Sequence, residues 1–523
     1  MKQAIIGGLI AIVACCTFVA SCNMGNQSAN QGLGVVRFET TGADAARPAF
    51  EKGLLLLHSF EYDDAADAFQ EATRVDPGFA MAYWGWAMTC NRPIWQEQDL
   101  EQGRVILDKL APTETARIAL AKTEIEKDFL KGVQILFGDG NKAVRDSSYA
   151  SYMKGLNEKY PGNNEVAAFY SLSLIGWAVT GRQLSLSPEA ARIAQEVIKR
   201  NPQHPGALHY LIHAYDHPEY ASLALETANK YAGVAPRAAH ALHMPTHTYV
   251  ALGMWDEVVS SNIVSWAASV ARKNEKKLGN DALGYHSYHW LEYGYLQKGE
   301  KKQARLMLDS MRYFANIQPS VKARSHLVLM QATYLAETND YIPETIANDL
   351  NLADLNIGLR AMQYFVRGMY AYIQKDTGGL KAIIGKMTSE RLVDADRIGP
   401  GGLRICGNIS RSLPTQTNLL ESETMEAELK AMLAALNGND QEAEHWLKRA
   451  TQVQQVAGYS YGPPGIVKPA FEMYGEWLLE KGRYGEAISQ FETSLKYAPN
   501  RTLSVNGKLE AGKRSKDGKL ALR

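Results

Sequence analysis

A spaced pattern of small, aromatic and proline residues occurs near both ends of the 523-residue chain and limits the folds open to it. Near the C-terminus the pattern consists of Gly475, Gly482, Tyr484, Ala487, Phe491 and Pro499. Near the N-terminus it consists of Gly53, Tyr62, Ala65, Phe69, Ala72 and Pro77, and the shared positions have the same spacing. Small residues let two antiparallel helices approach closely, the phenylalanine fills the seam between them, and the proline ends the second helix. The pattern therefore predicts helix pairs.

Weaker copies of the pattern lie between these two. Ala190, Ala194 and Pro202 recur 34 residues later as Ala224, Ala228 and Pro236, and further units contain Gly299 with Ala304 and Gly438 with Ala443. Each unit of a repeat array packs only on its neighbours, so such an array can exceed the length of one compact core. We predict an all-α fold, an α-α superhelical solenoid without a substantial β-sheet. Segments 111–160 and 393–418 do not match and are predicted as irregular insertions, the Gly-rich part of the second, 398–412, as a connector.

Three stretches, 58–88, 238–262 and 462–501, together resemble a large bacterial family of tetratricopeptide-repeat proteins. The central sequences HALHMPTHTYVALGMWDE and YHSYHWLEYGYLQKGE also resemble the tetratricopeptide repeat protein 38 family. The resemblance implies a superhelical array that serves as a binding scaffold. It implies little about chemistry, because one fold can carry many functions.

The N-terminus resembles that of a bacterial lipoprotein. Lys2 precedes an apolar stretch over 4–19, and Val19-Ala20-Ser21-Cys22 then has the form of a lipobox. This resemblance implies cleavage after Ser21 and lipidation of Cys22, and two or more acyl chains give stable anchoring. The alternative is an uncleaved membrane anchor, for which the apolar stretch is short. We expect a lipid-anchored protein of the cell envelope, in the outer membrane and facing the periplasm.

The predicted organisation has seven parts. They are a signal peptide at 1–21, a flexible tether at 22–45, N-terminal repeats at 46–110, helical pairs with insertions at 111–202, histidine-rich repeats at 203–315, divergent helical repeats at 316–420 and C-terminal repeats at 421–523. Cys90 and Cys406 are the cysteines left outside the signal and lipobox, and whether they pair is open. The 56 basic and 56 acidic residues balance, which argues against nucleic acid as a partner.

Histidines are concentrated in the central repeats. Nine of the twelve lie between His204 and His289. With Pro202 and Pro236 as unit ends and Gly299 setting a third unit that begins near Tyr285, the histidines fall at the first-helix positions that face the concave groove in tetratricopeptide arrays. The predicted groove residues are His209, His213, Asp216, His217, His240, His243, His247, His286 and His289.

The histidine spacing suits metal binding. His209 and His213, His213 and His217, and His243 and His247 are each four residues apart, so their side chains are neighbours on a helix surface. Two imidazoles at this spacing can share a zinc, copper, iron or nickel ion, and Asp216 can bind the ion or orient a histidine. The alternatives are packing histidines that bond to carbonyl groups, or a metal-free pocket for an anionic or sugar ligand.

Other candidate surfaces are weaker. Glu472, Glu476 and Glu480 fall at groove positions of the last unit and predict either a face for a basic peptide or a solvated helix surface. Trp84, Trp86 and Trp95 are predicted as core residues rather than a carbohydrate platform.

The primary functional prediction is a membrane-anchored binding scaffold whose groove takes a protein, peptide or small ligand. One alternative is a metal-dependent enzyme that uses the histidine cluster. Another is an accessory lipoprotein of an envelope uptake system, for example for polysaccharides. No Ser-His-Asp order or H-E-x-x-H motif stands out, so enzyme activity is left open.

Overall fold

A computed structural model describes residues 32–181, 187–346, 350–398, 414–459 and 462–521. The N-terminal half contains α1 Arg47–His58, α2 Tyr62–Val75, α3 Ala80–Met88, α4 Leu100–Leu110, α5 Glu114–Leu120, α6 Glu124–Leu136, α7 Lys142–Lys159, α8 Asn164–Gly181, α9 Ser187–Arg200, α10 Pro205–Ala214, α11 Ala221–Val234, α12 Ala239–His243 and α13 Pro245–Leu252. Two short strands, β1 Asn91–Arg92 and β2 Glu97–Gln98, pair antiparallel between α3 and α4.

The C-terminal half continues with α14 Trp255–Glu275, α15 Tyr285–Gln297, α16 Lys301–Ile317, α17 Val321–Thr338, α18 Pro343–Ile346, α19 Ile357–Ile373, α20 Thr377–Ile398, α21 Gln416–Leu436, α22 Asp440–Ala457, α23 Ala470–Glu480, α24 Tyr484–Tyr497 and α25 Thr502–Ala521. Successive helices pair along the chain, and β1 and β2 are the only strands in the described part. The predicted all-α superhelical solenoid is confirmed.

The helix pairs are joined by a repeated packing device. The ring of Phe69 on α2 lies between Gly53 on α1 and Gly85 on α3, where an added Cβ would come within 2.8 Å and 2.3 Å of ring atoms, respectively. The ring of Phe491 on α24 lies in the same way between Gly475 and Gly507. Both rings are fully buried. Each phenylalanine therefore fixes the distance between its own helix and the helices before and after it.

Two segments differ from the sequence prediction. Residues 111–160 are not an irregular insertion, because α5, α6 and α7 occupy most of this segment and bury an apolar face. The predicted tether is not free over 32–45. Val35 N donates to the Gln203 carbonyl at 2.9 Å, and Arg237 N donates to the Gly32 carbonyl at 3.0 Å. The Thr41 hydroxyl donates to Glu126 at 2.9 Å, so this segment lies against three distant parts of the array.

Contacts between distant units bring the superhelix back onto itself. Arg272 on α14 pairs with Asp64 on α2, more than 200 residues earlier in the sequence. At the other end, Trp255 Nε1 donates to the Asn500 carbonyl at 3.0 Å, and Thr502 N donates to Gln297 Oε1 at 2.9 Å. The middle helices α14 and α15 together therefore contact both the first unit (α1 and α2) and the last unit (α23 to α25).

The predicted signal, Cys22 and the greater part of the 398–412 connector lie outside the described residues, as does Cys406. Cys90 is a free, partly buried thiol. Within the described ranges, no helix combines the length and the apolar character needed to cross a bilayer.

Candidate metal centre

Four helices carry the central histidines, and a proline shapes the arrangement. His209 and His213 lie on α10, His240 and His243 on α12, and His247 on α13, and α15 follows with His286. Pro245 begins α13, because it lacks an N–H group and its ring favours the first turn of a helix. Thr246 Oγ1 donates to the His243 carbonyl at 2.7 Å at this junction.

Six of the eight predicted histidines form a connected group of rings, which we call the histidine cluster: His209, His213, His240, His243, His247 and His286. Neighbouring ring centroids are 5.0 Å apart for His209–His213, 5.1 Å for His213–His247 and 4.7 Å for His243–His286. Asp216 joins the cluster through His247, whose Nδ1 lies 2.5 Å from Asp216 Oδ2.

Two predicted histidines lie apart from this cluster. The ring of His217 packs against Tyr459, with 5.2 Å between centroids. His289 points toward α17, where its Nε2 lies 2.9 Å from Thr333 Oγ1. These two side chains do not contribute to the groups of possible metal ligands among the described residues.

The repeat positions predicted that the histidine cluster lies on an open concave surface. The structure does not place it on such a surface. His209, His213 and His247 are buried because the first unit covers them from one side: the Phe60 ring is 4.1 Å from that of His209. Trp290 covers the other side, 4.4 Å from the His247 ring. Positions within a unit do not reveal this cover, because it comes from distant parts of the chain.

One edge of the cluster opens into a cleft of about 740 Å³, a size typical of ligand sites. His240, His243 and His286 line it together with Trp86 and Trp95, and the ring centroids of Trp95 and His240 are 5.5 Å apart. The prediction of core packing holds for Trp84, which is fully buried. Trp86 and Trp95 are partly buried and also pack against the hydrophobic core, while they line the cleft.

The hydrogen bonds fix the tautomers of three rings. His209 Nδ1 donates to the His58 carbonyl at 2.8 Å, and His247 Nδ1 donates to Asp216. His243 Nδ1 donates to Asn262 Oδ1 at 2.7 Å, and the Asn262 amide is itself oriented by its bond to Val258 O. A neutral ring with its hydrogen on Nδ1 carries a lone pair on Nε2.

These lone pairs have no protein partner. The Nε2 atoms of His209, His213, His240, His243 and His247 are buried and accept no hydrogen bond from the described residues. A buried polar atom without a partner is costly, and natural proteins rarely contain several together. The bonded Nδ1 and free Nε2 are also the arrangement found around metal ions, where an outer acceptor orients each ligating histidine.

Burial keeps the rings in the form that binds metal. It lowers the pKa of His243 to about 3, with a further contribution from the charge of His247. Burial and neighbouring histidines lower the pKa values of His209, His240 and His286 well below 6.5. Burial alone would raise the pKa of Asp216, but His247 and His213 hold it at about 2. These lowered pKa values favour neutral imidazoles at His209, His240, His243 and His286, beside one carboxylate.

A second group of polar side chains, which the sequence patterns did not indicate, lies beside the cluster. Glu165 is fully buried and lies 2.8 Å from His58 Nε2 and 3.2 Å from His204 Nε2, and His58 Nδ1 lies 2.8 Å from the Tyr210 hydroxyl. The ring nitrogens of this group have protein partners, so it serves as a support: the His58 carbonyl orients His209. His58 and Glu165 are far from the histidine-rich segment in sequence, so no local pattern indicated them.

Among known proteins, similarity to this chain is found in solved structures. No family model and no curated protein matches the chain. Solved structures that it resembles include YrrB, a TPR protein with an unusual peptide-binding site, at 18% identity over 38% of this chain and 92% of that one, with a TM-score of 0.21. The APC/C hetero-tetramer Cut9–Hcn1 is 13% identical, with 91% of this chain and 78% of that one covered and a TM-score of 0.36. Yeast Tom70 is 11% identical, with 91% of this chain and 89% of that one covered and a TM-score of 0.33. Because these TM-scores are low, the fold is assigned from the helix pairing described above and not from these similarities.

His289 predicts an acid-sensitive contribution to stability. Burial lowers its pKa from 6.5 to about 3, so between these values the unfolded chain takes up a proton that the folded protein does not. Stability therefore falls as the pH falls, by about 1.4 kcal/mol per pH unit and about 2 kcal/mol by pH 5. In His289→Gln the amide can still hydrogen-bond to Thr333, but the titrating ring is gone. The free energy of unfolding, measured with denaturant, should therefore differ less between pH 7 and pH 5 in this variant than in the wild type, by the amount given above. An unchanged pH dependence in the variant would contradict the assignment.

Proposed function

We propose that this protein is a lipid-anchored helical-repeat binding protein whose histidine cluster holds a transition-metal ion at the base of the cleft. The observation that supports this function is the set of five buried Nε2 atoms without partners. A buried histidine that serves only in packing is expected to have hydrogen-bond partners for both ring nitrogens, as His58 does.

The donor chemistry indicates the class of ion. Imidazole nitrogen suits zinc, copper, iron and nickel, whereas calcium and magnesium prefer oxygen ligands. Within each three-residue group of the cluster the candidate ligand atoms lie within 4.8 Å of one another. Ligands of a tetrahedral ion with 2.0 Å bonds are about 3.3 Å apart. Small side-chain rotations would bring the rings to that distance.

The cleft gives the ion a route to a second ligand. Three histidines leave a fourth position of a tetrahedral ion for water or for a donor atom from outside the protein. His240 and His286 are partly exposed, and both line the cleft. We propose that a carboxylate, imidazole or similar donor group of a peptide or small ligand enters there and binds the ion, while Trp86 and Trp95 contact the rest of the ligand.

Lipidation at Cys22 would keep the repeat array close to the membrane. The ten residues 22–31 can span at most about 35 Å, because an extended chain rises about 3.5 Å per residue. From residue 32 onward the chain is held against the repeats. A Cys22→Ala variant that still fractionates with membranes and migrates as the wild type would contradict the anchor.

Metal content tests the proposed site. Protein expressed without residues 1–21 should contain zinc, copper, iron or nickel by elemental analysis, or take one up from solution after chelation. The double substitution His213→Ala with His247→Ala removes two ligands. It should lower the apparent affinity for the metal by about 100-fold or more, because an ion with fewer fixed imidazoles is held weakly.

The matched control is His445→Ala, which removes an exposed histidine on α22. It should bind as much metal as the wild type. Circular dichroism of both proteins separates loss of metal from loss of folding. A folded wild-type protein that takes up no metal from a series of zinc, copper, iron and nickel solutions would exclude the proposal, and the cluster would then be a metal-free pocket.

A further inference from the structure

Resting on the proposed metal function, we infer that the histidine cluster is a two-ion site, in which each ion takes three histidines and Asp216 positions His247 of one set. The first set, site A, is His209, His213 and His240. The second set, site B, is His243, His247 and His286. The ions are of the class that imidazole prefers, such as zinc or copper.

The positions of the unpartnered nitrogens favour two sites. Every histidine of site A has a buried Nε2 without a protein partner, and so do His243 and His247 of site B. One ion can bind no more than about four of these ligands in a tetrahedral arrangement. A single ion would therefore leave buried nitrogens unsatisfied, whereas two ions satisfy both sets.

The geometry places the two sites side by side. Across the boundary between them, the ring centroids of His213 and His247 are 5.1 Å apart, and those of His240 and His243 are 5.9 Å apart. Both sites also reach the cleft, site A through His240 and site B through His243 and His286. One ligand in the cleft can therefore contact both ions.

Asp216 lies between the two sites but belongs to neither set. Its Oδ2 is 2.5 Å from His247 Nδ1 and 3.7 Å from His213 Nδ1. It thus approaches one ring of each site from the side opposite to the free Nε2. A carboxylate in this position orients the imidazole and makes its other nitrogen a better ligand. Asp216 is therefore a positioning residue for His247 of site B, and it supplies a negative charge near His213 of site A.

A single central ion is the competing arrangement. His213, Asp216 and His247 also have ligand atoms within 4.8 Å of one another. An ion there would use the Nδ1 side of both rings, and it would displace the hydrogen bond from His247 to Asp216. It would also leave the Nε2 atoms of the two sites without partners, which is why we favour sites A and B.

Titration of the chelated protein with Co²⁺ tests the inference, because bound cobalt absorbs visible light in a way that reports its ligands. The wild type should bind two equivalents per chain. His209→Ala with His240→Ala removes two ligands of site A only and should bind one equivalent. His243→Ala with His286→Ala removes two ligands of site B only and should also bind one equivalent, with a different spectrum.

Asp216→Asn provides the positioning test. It should keep both equivalents but weaken binding at site B by about 10- to 100-fold, the usual effect of losing an outer-shell carboxylate, with a smaller effect at site A. Asp216→Glu should recover part of the affinity. Unchanged far-ultraviolet circular dichroism and thermal midpoint of the metal-free variant would separate positioning from folding.

Four outcomes decide the matter. Two equivalents in the wild type, reduced to one by either double substitution, support the two-ion site. One equivalent that both double substitutions leave in place and that Asp216→Asn abolishes supports the central ion and overturns the inference, while the proposed metal function stands. One equivalent lost in only one double variant overturns it in favour of a single three-histidine site. No cobalt in a folded wild type overturns this inference, and the uptake experiments with the other metals then decide separately whether the proposed function also fails.

Discussion

Replacement of Arg501 by methionine is expected to lower the free energy of unfolding by roughly 3–5 kcal/mol, because it breaks a buried ion pair from one side. The guanidinium group is fully buried. Its Nε donates to Glu472 at 2.8 Å, its Nη1 donates to the Tyr293 hydroxyl at 3.2 Å, and it also pairs with Glu337. Methionine fills much of the volume but leaves two buried carboxylates without this partner. Denaturant unfolding followed by circular dichroism measures the loss.

Arg483→Met is the matched control. Arg483 also pairs with two carboxylates, Glu444 and Glu486, but it lies at the surface, and its side chain is 33% exposed. Exposed ion pairs contribute about 0–1 kcal/mol, so this variant should remain close to the wild type. Combining Arg501→Met with Glu472→Met removes one of the stranded carboxylates and should recover part of the stability. An Arg501→Met variant no less stable than Arg483→Met would show that the buried group does not hold the last unit in place.

Phe69→Ala is expected to cost about 3–5 kcal/mol, the range for truncating a buried aromatic side chain. The ring lies between Gly53 and Gly85, so its loss leaves a cavity between three helices that no neighbouring side chain fills. Phe491→Ala empties the equivalent position of the last unit and should have an effect of the same size. Both are measured by denaturant unfolding of the metal-free protein.

Leu306→Ala is the control for this pair, because Leu306 is 68% exposed on α16 and its truncation should change stability by less than about 0.5 kcal/mol. Phe69→Leu retains much of the volume and should fall between the wild type and Phe69→Ala. A loss below about 1 kcal/mol for Phe69→Ala would mean that α1 and α3 close over the space, and that the ring does not set the helix spacing.

The repeat fold could be predicted because its signals are local. Gly53 and Phe69, like Gly475 and Phe491, are 16 residues apart, and each phenylalanine packs on its glycine in the structure. The four-residue spacing of His209 with His213 and of His243 with His247 also survives folding, because residues four apart share a helix face. Such relations need no knowledge of distant parts of the chain.

The cover of the histidine cluster and its supports could not be predicted in this way. Phe60 reaches His209 from about 150 positions away, and the His58 carbonyl orients the same ring. Glu472 shows the same limit: its repeat position indicated an exposed carboxylate face, but Arg501 from the next turn buries it. The local pattern defines which side of a helix faces inward, whereas superhelical closure decides what lies against that side.

The contacts of the middle helices with both ends change how this array should unfold. In an open array the terminal units can fray one at a time, because each is held by a single neighbour. Here the first unit is also tied to α14 through Arg272, and the last is tied through Trp255 and Gln297. Losing either end therefore breaks contacts at the centre, beside the histidine cluster. The chain should behave as one cooperative block of fixed length, in which units cannot be removed or added without cost to the middle.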